Sequence, residues 1–180
     1  MDFIAIPVES IRSFMELGGP VLYLIALLLL VMWYMIVDRI LYFRREHRAN
    51  VEAALTEWNQ RSERKSWAAH RVREQIISGV SLQMKRNLPM IQACVALAPL
   101  FGLLGTVTGM IEVFQVMSLT GSSNARAMAG GVSRATVPTM AGMVAALSGL
   151  FLSFWLQRKC EFERELLAEN LPLEHDEAKA

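Results

Sequence analysis

The stretch LPMIQACVALAPLFGLLGTVTGMIEVFQVM, residues 88–117, decides the fold of this chain. Glu112 is the only Asp, Glu, Lys or Arg in this run of apolar residues. A helix needs about 20 apolar residues to cross the roughly 30 Å hydrocarbon layer of a bilayer. The run is longer than that even if Pro99 bends it, so it predicts a membrane-spanning helix.

Small residues follow one face of this span. They recur at alternating spacings of four and three, which places them on one line along the helix. Two of the glycines form a G-x-x-x-G arrangement, which lets two backbones approach closely in lipid. This line, the second-span seam, predicts helix packing, and Thr106 beside it is either a hydroxyl bonded to its own helix or part of the wall of an ion path. The seam consists of Ala98, Gly102, Gly105, Gly109 and Glu112.

The composition agrees with a membrane protein. Hydrophobic residues make up 53% of the 180 residues, the mean hydropathy is +0.32 and the net charge is +1. Because the apolar residues are clustered in membrane-length runs, we predict an all-α integral membrane protein with three transmembrane helices. The two cysteines lack C-x-x-C or Cys/His spacing, so neither a metal nor a cofactor is expected.

The hydropathy pattern predicts seven segments. Gly18-Gly19-Pro20 separates an amphipathic start from the first apolar run, and a polar, glycine-rich stretch separates the second run from the third. We predict an external amphipathic segment (1–19), a first transmembrane helix (20–43), a basic cytoplasmic helical loop (44–87), a second transmembrane helix (88–117), a short periplasmic loop (118–131), a third transmembrane helix (132–157) and a cytoplasmic tail (158–180).

The charge distribution predicts the orientation. Residues 38–86 carry eleven Lys or Arg against six Asp or Glu, so the positive-inside rule makes this loop cytoplasmic. The second span is expected to continue into it as one long helix. The N-terminus is then external and the C-terminus cytoplasmic. Lipid headgroups and protein partners are the expected targets of the basic loop, and no nucleic-acid partner is expected because no RNA-binding motif is present.

The third span carries a matching seam. Small residues again alternate at spacings of four and three, and the helix-packing residues among them are Gly142, Ala146 and Gly149. Thr139 lies on the same line directly after Pro138, which cannot donate to the carbonyl of Arg134. Two such spans joined by a short turn predict an antiparallel hairpin that also packs against neighbouring subunits.

The segments GLLGTVTGMIEVF (102–114) and PTMAGMVAALSGL (138–150) resemble the two signature spans of the MotA/TolQ/ExbB proton-channel family, most closely its ExbB-type members. The resemblance covers roughly residues 20–160 and includes the order of spans and basic loop. It implies an inner-membrane homo-oligomeric ring, usually a pentamer, around single-span ExbD-like subunits. Proton flow through the interior would drive work on a TonB-like protein.

The resemblance also implies roles for two threonines. Thr106 matches the family's second-span threonine and Thr139 its third-span threonine, and both would face the pore beside a carboxyl group of the ExbD-like subunit. The chain departs from better-known members in carrying Arg134 where many have glutamate, and Glu112 where a neutral polar residue is common.

The residues themselves suggest that Glu112 and Arg134 form a buried ion pair. Glu112 lies about 9 Å beyond Thr106, and Arg134 about 7.5 Å from Thr139 on the same side, at helical pitch. A lone charge inside a membrane demands a partner or water. In the alternatives, Arg134 reaches the surface and Glu112 is protonated or faces water, or Glu112 itself carries protons.

Three functions are compatible with this pattern. The first is a proton-channel subunit that powers TonB-dependent uptake across the outer membrane. The second is a TolQ-like subunit of the Tol-Pal envelope system, and the third is a purely structural membrane scaffold. A MotA-type stator is disfavoured because that branch has four spans. An enzyme is not expected, because His47, His70 and His175 are all predicted to be ordinary surface residues.

Overall fold

A computed structural model describes the backbone of residues 2–60, 66–120 and 125–172, with side chains for 12–16, 18–60, 66–119 and 128–172. Its helices are α1 (Asp2–Arg45), α2 (His47–Asn59), α3 (Trp67–Lys85), α4 (Leu88–Thr120) and α5 (Ala125–Glu169). The described residues contain no strand, and the all-α part of the predicted fold is confirmed.

Three helical stretches are long and apolar enough to cross a membrane: Gly18–Arg45, Trp67–Leu119 and Met128–Glu169. Each contains one of the predicted apolar runs. These lengths exceed the roughly 20 residues that a bilayer needs, so the helices extend beyond the hydrocarbon layer. The chain is therefore a multi-pass membrane protein.

Two backbone irregularities divide the helical stretches. In α1, Gly19 has φ 65° and ψ −163°, which interrupts the helix at the predicted Gly18-Gly19-Pro20 break. Between α3 and α4, Asn87 has φ 66°. The prediction of one continuous helix from the basic loop into the second span is therefore wrong. Asparagine is among the few residues other than glycine that enter the left-handed region readily.

The connection after the second span is more helical than expected. The predicted loop covers 118–131, yet α4 continues to Thr120 and α5 already begins at Ala125. Gly131 lies inside α5 against Val113 of α4, so glycine there provides a helix contact and not a turn. Residues 121–124 lie outside the described residues, as do 173–180 of the predicted tail and the side chains of 2–11 in the predicted amphipathic segment.

The chain divides into two compact units. The first, here called the apolar unit, comprises Met1–Tyr34 and Ile91–Phe151. The second, here called the charged unit, comprises Met35–Met90 and Leu152–Ala180. The core of the apolar unit is formed by Val21, Leu22, Ile25, Ala98 and Ala145. The side chains that the charged unit buries include Trp58, Met84, Leu156, Leu167 and Leu171.

Candidate functional site

In the apolar unit, α4 and α5 pack as an antiparallel pair with their backbones in close approach. A Cβ atom built on Gly109 would lie 2.7 Å from the Cβ of Ala135. One built on Gly142 would lie 2.5 Å from the carbonyl oxygen of Ala98. Real Cβ atoms do not come so near, so these glycines set the distance between the helices.

The remaining packing residues extend this contact to α1. Gly105 and Gly149 have no room for a side chain, since a Cβ on either would collide with neighbouring side chains. Ala146 is half-buried and packs against the core of the apolar unit. The neighbours are Pro138 and Val21 for Gly105, and Met32 and Val95 for Gly149.

The two threonines make different hydrogen bonds. The Thr106 hydroxyl donates to the carbonyl of Leu103 in its own helix, with an O···O distance of 2.7 Å. The Thr139 hydroxyl donates across the hairpin to the carbonyl of Gly102, at 2.9 Å. Both side chains are half-buried in the single chain. Gly102 and Thr106 are one helical turn apart, so the two hydroxyls occupy neighbouring levels of the hairpin.

Glu112 and Arg134 are both exposed in the single chain, and no ion pair joins them among the described side chains. The register nevertheless brings them to similar heights, because Gly109 faces Ala135 and Gly131 faces Val113. A pair within one hairpin is thus not formed in this structure. A pair between neighbouring subunits stays a prediction.

The charged unit contains a polar site that the sequence did not predict. His47 is only 5% exposed, so its prediction as a surface residue is wrong. Its Nε2 lies 3.1 Å from Oε2 of Glu163, and the ring of Phe43 packs edge-on against it. The spacing of four residues between Phe43 and His47 could have indicated this shared face. His70 is exposed, as predicted, and His175 lies outside the described residues.

Two arginines of the charged unit donate to backbone carbonyls. Arg39 is 3% exposed and donates to the carbonyl of Gln83 at 2.8 Å. Arg73 donates to the carbonyls of Leu171, at 2.7 Å, and Ala168, at 2.6 Å. The last carbonyls of a helix have no intrahelical donor, so Arg73 caps the C-terminal end of α5. Positive charge near a helix C-terminus is also favoured by the helix dipole.

Comparison with known proteins identifies relatives of this hairpin. The model of the MotA/TolQ/ExbB proton channel family matches residues 43–169. Biopolymer transport protein exbB1 of Vibrio cholerae is 35% identical over 108 residues, which are 54% of this chain and 47% of that protein. Biopolymer transport protein ExbB of Helicobacter pylori is 32% identical over 85 residues, 47% of this chain and 59% of that protein.

A further relative is the protein named ExbB-like 1 of Synechocystis, which is 40% identical over 73 residues. These residues are 39% of this chain and 29% of that protein. The matches therefore cover less than two thirds of the length of each of these relatives. The family match spans α2 to α5 and so includes both seams and both threonines.

Proposed function

Because the chain belongs to the MotA/TolQ/ExbB proton channel family, we propose that it is a proton-channel subunit of an inner-membrane energy-transducing complex of the ExbB-ExbD-TonB type. The observation that carries the proposal is the hairpin of α4 and α5, in which Thr106 and Thr139 are half-buried at neighbouring levels. A hydroxyl both donates and accepts hydrogen bonds, so it can serve a partner carboxyl group in either protonation state without carrying charge.

The proposed assembly is a homo-oligomeric ring, a pentamer by the family resemblance. It encloses an ExbD-like single-span subunit and acts on a TonB-like protein to power uptake across the outer membrane. Two relatives named biopolymer transport proteins support a role in transport. The single chain also exposes many large apolar side chains on α4 and α5, such as Phe114 and Phe151, which lipid or neighbouring subunits would cover.

The test compares cells with and without this chain. Energy-dependent uptake through the outer membrane should be lost on deletion of the gene, and restored by the wild-type chain only while the proton gradient is intact. An uncoupler that dissipates the gradient should have the same effect as deletion. Restored uptake that is insensitive to the uncoupler would leave a structural scaffold as the better function.

We also propose an external N-terminus and a cytoplasmic C-terminus, because eleven of the 18 Lys and Arg residues lie in 38–86. The native cysteines Cys94 and Cys160 are buried, which gives a low background for labelling. A cysteine at Leu119, which is 86% exposed, should react with an impermeant maleimide from outside. A cysteine at the exposed Gln60 should react only after permeabilisation. The reverse pattern would invert the orientation.

Glu112 and Arg134 are proposed to pair between subunits, where assembly would bury both. Glu112→Gln and Arg134→Gln should each impair assembly or uptake, because one charge is left unpaired in the membrane. The double variant should recover part of the loss. A double variant as defective as the two single losses combined would mean that the residues act independently.

A further inference from the structure

The hydrogen bond between Thr139 and Gly102 has a fixed direction. A carbonyl oxygen has no proton, so Thr139 is the donor in the 2.9 Å contact. A threonine hydroxyl has one proton to donate and two lone pairs that accept. In this structure the proton is committed to α4, and only the lone pairs remain for a ligand.

Gly102 is the residue that permits this bond. A Cβ atom there would lie 2.9 Å from the Cα of Thr139 and 3.1 Å from the carbonyl oxygen of Pro138. Any side chain would therefore push the two backbones apart and lengthen the hydrogen bond. In an α-helix the same carbonyl also accepts the N–H of Thr106. Both threonines implicated in the proton path thus converge on the carbonyl of Gly102.

We propose that Gly102 is a positioning residue of the proton path. Its carbonyl takes the hydroxyl proton of Thr139 in a hydrogen bond, so Thr139 can only accept a hydrogen bond from a group in the pore. This inference rests on the proposed function, which provides a carboxyl-bearing subunit inside the ring. A protonated carboxyl group has an O–H to donate, whereas a carboxylate only accepts. Thr139 therefore favours the protonated, neutral carboxyl group.

Thr139 can donate a hydrogen bond to the carboxylate only after its hydroxyl turns away from Gly102. Loss of the proton from the carboxyl group is thereby linked to breaking a contact between α4 and α5. The hairpin in each subunit then has two hydrogen-bonding states, one for each protonation state of the carboxyl group. In the first state Thr139 bonds α4, and in the second it bonds the carboxylate.

Isotope labelling tests the hydrogen bond itself. The chain has two Gly-Leu pairs, Gly102-Leu103 and Gly149-Leu150. Protein made with carbonyl-13C glycine and 15N leucine therefore reports these two carbonyls in a carbon-nitrogen correlation spectrum. In Thr139→Val the Gly102 carbonyl signal should move upfield, because a donor is lost, while the Gly149 signal stays. Thr139→Ser should restore it.

The Gly149 signal also reports whether the variant is folded. An unchanged Gly102 signal in a folded Thr139→Val protein would overturn the proposal, whatever the activity. If Thr139→Val does not fold, Thr139→Ala, which also lacks the hydroxyl, takes its place. An upfield Gly102 signal in folded Thr139→Ala supports the bond, and an unchanged signal contradicts it.

The pH profile tests the consequence for function, with the complex of this chain and the single-span subunit that co-purifies with it as the sample. Gly102→Ala should free the Thr139 hydroxyl for the carboxylate and move half-maximal proton uptake to lower pH. The expected move is about three- to tenfold in proton concentration, the effect of one ordinary hydrogen bond.

Gly109→Ala is the matched control. It adds the same methyl group to the same seam, 2.7 Å from the Cβ of Ala135 and away from the hydrogen bond of Thr139. Its activity should fall without a move of the pH profile. An equal shift of the pH profile in both variants, or no shift in Gly102→Ala, would mean that Gly102 acts only in packing. The proposed function would be unaffected. Full activity of Thr139→Val would remove Thr139 from the proton path and would likewise contradict this inference, whereas the proposed function is contradicted by uptake that is insensitive to the uncoupler.

Discussion

The two units of this protein hold their helices together by different means. In the apolar unit, glycines bring backbones together, as where Gly142 meets the carbonyl of Ala98. In the charged unit, large side chains such as Trp58 and Met84 fill the core, and Arg73 links α3 to the end of α5. Lipid provides no hydrophobic drive between helices, so close packing must provide the stability there. Where water surrounds a helix pair, burial of large apolar side chains drives association.

The glycines of the two units sharpen this difference. Gly105 has no room for a Cβ, whereas a Cβ on Gly79 in the charged unit would meet no described atom within 4 Å beyond its own stretch of helix backbone. A side chain is thus excluded at Gly105 and accommodated at Gly79. A helix interior even favours alanine over glycine by about 1 kcal/mol.

The largest expected effect follows from this contrast. Gly105→Leu should abolish assembly, because its side chain would overlap Pro138 and separate α4 from α5. Gly79→Leu, the control, should assemble as the wild type does. Native mass spectrometry of both variants in detergent measures the oligomer directly. A Gly105→Leu oligomer of wild-type size would mean that the glycine seam does not hold the helices together.

A smaller effect is expected from the core of the charged unit. Trp58 is 1% exposed, so Trp58→Ala should lower the free energy of unfolding by about 3–5 kcal/mol through the cavity it leaves. Trp67 is 74% exposed, and Trp67→Ala should cost less than about 0.5 kcal/mol. Thermal unfolding followed by circular dichroism compares the two. Equal losses would contradict a core built on large buried side chains.

The smallest of these effects concerns the cap of α5. Arg73→Ala should cost about 2 kcal/mol, because the carbonyl of Ala168 in the last turn and that of Leu171 just beyond it lose a charged donor. Arg71 is the neighbouring control, since its side chain is 64% exposed and its ion pair with Glu74 spans 3.6 Å. Arg71→Ala should change the free energy of unfolding by no more than about 0.5 kcal/mol. Faster proteolysis near Leu171 in Arg73→Ala than in Arg71→Ala would support the cap. Equal proteolysis rates in the two variants would contradict it.

The sequence predicted the apolar unit better than the charged unit. Membrane-length runs and seams of small residues depend on composition and periodicity, which a sequence displays directly. The break at Asn87, the burial of His47 and the cap by Arg73 depend on contacts between residues far apart in the chain. Arg73 and Leu171, for example, are separated by most of α3, all of α4 and α5. No local pattern encodes such a pair.

The threonines show the same limit inside the better-predicted unit. Family resemblance singled out Thr106 and Thr139, and the seams explain why both lie beside a helix contact. The direction of the Thr139 hydrogen bond was not predictable, because it depends on how closely Gly102 approaches α5. The sequence identified Thr139 as a candidate, and the structure showed which group its hydroxyl donates to.

Proton flux through the reconstituted complex tests the central claim most directly, that the two hydroxyls serve a proton path. The Thr106→Val, Thr139→Val double variant keeps the side-chain shapes and removes both hydroxyls. In liposomes with an imposed proton gradient, the wild-type complex with its single-span subunit should conduct protons, and the double variant should assemble normally but conduct at least about tenfold less, since a buried carboxyl group loses its hydrogen-bond partners. Wild-type flux through the assembled double variant would contradict the claim and leave the threonines with a packing role alone.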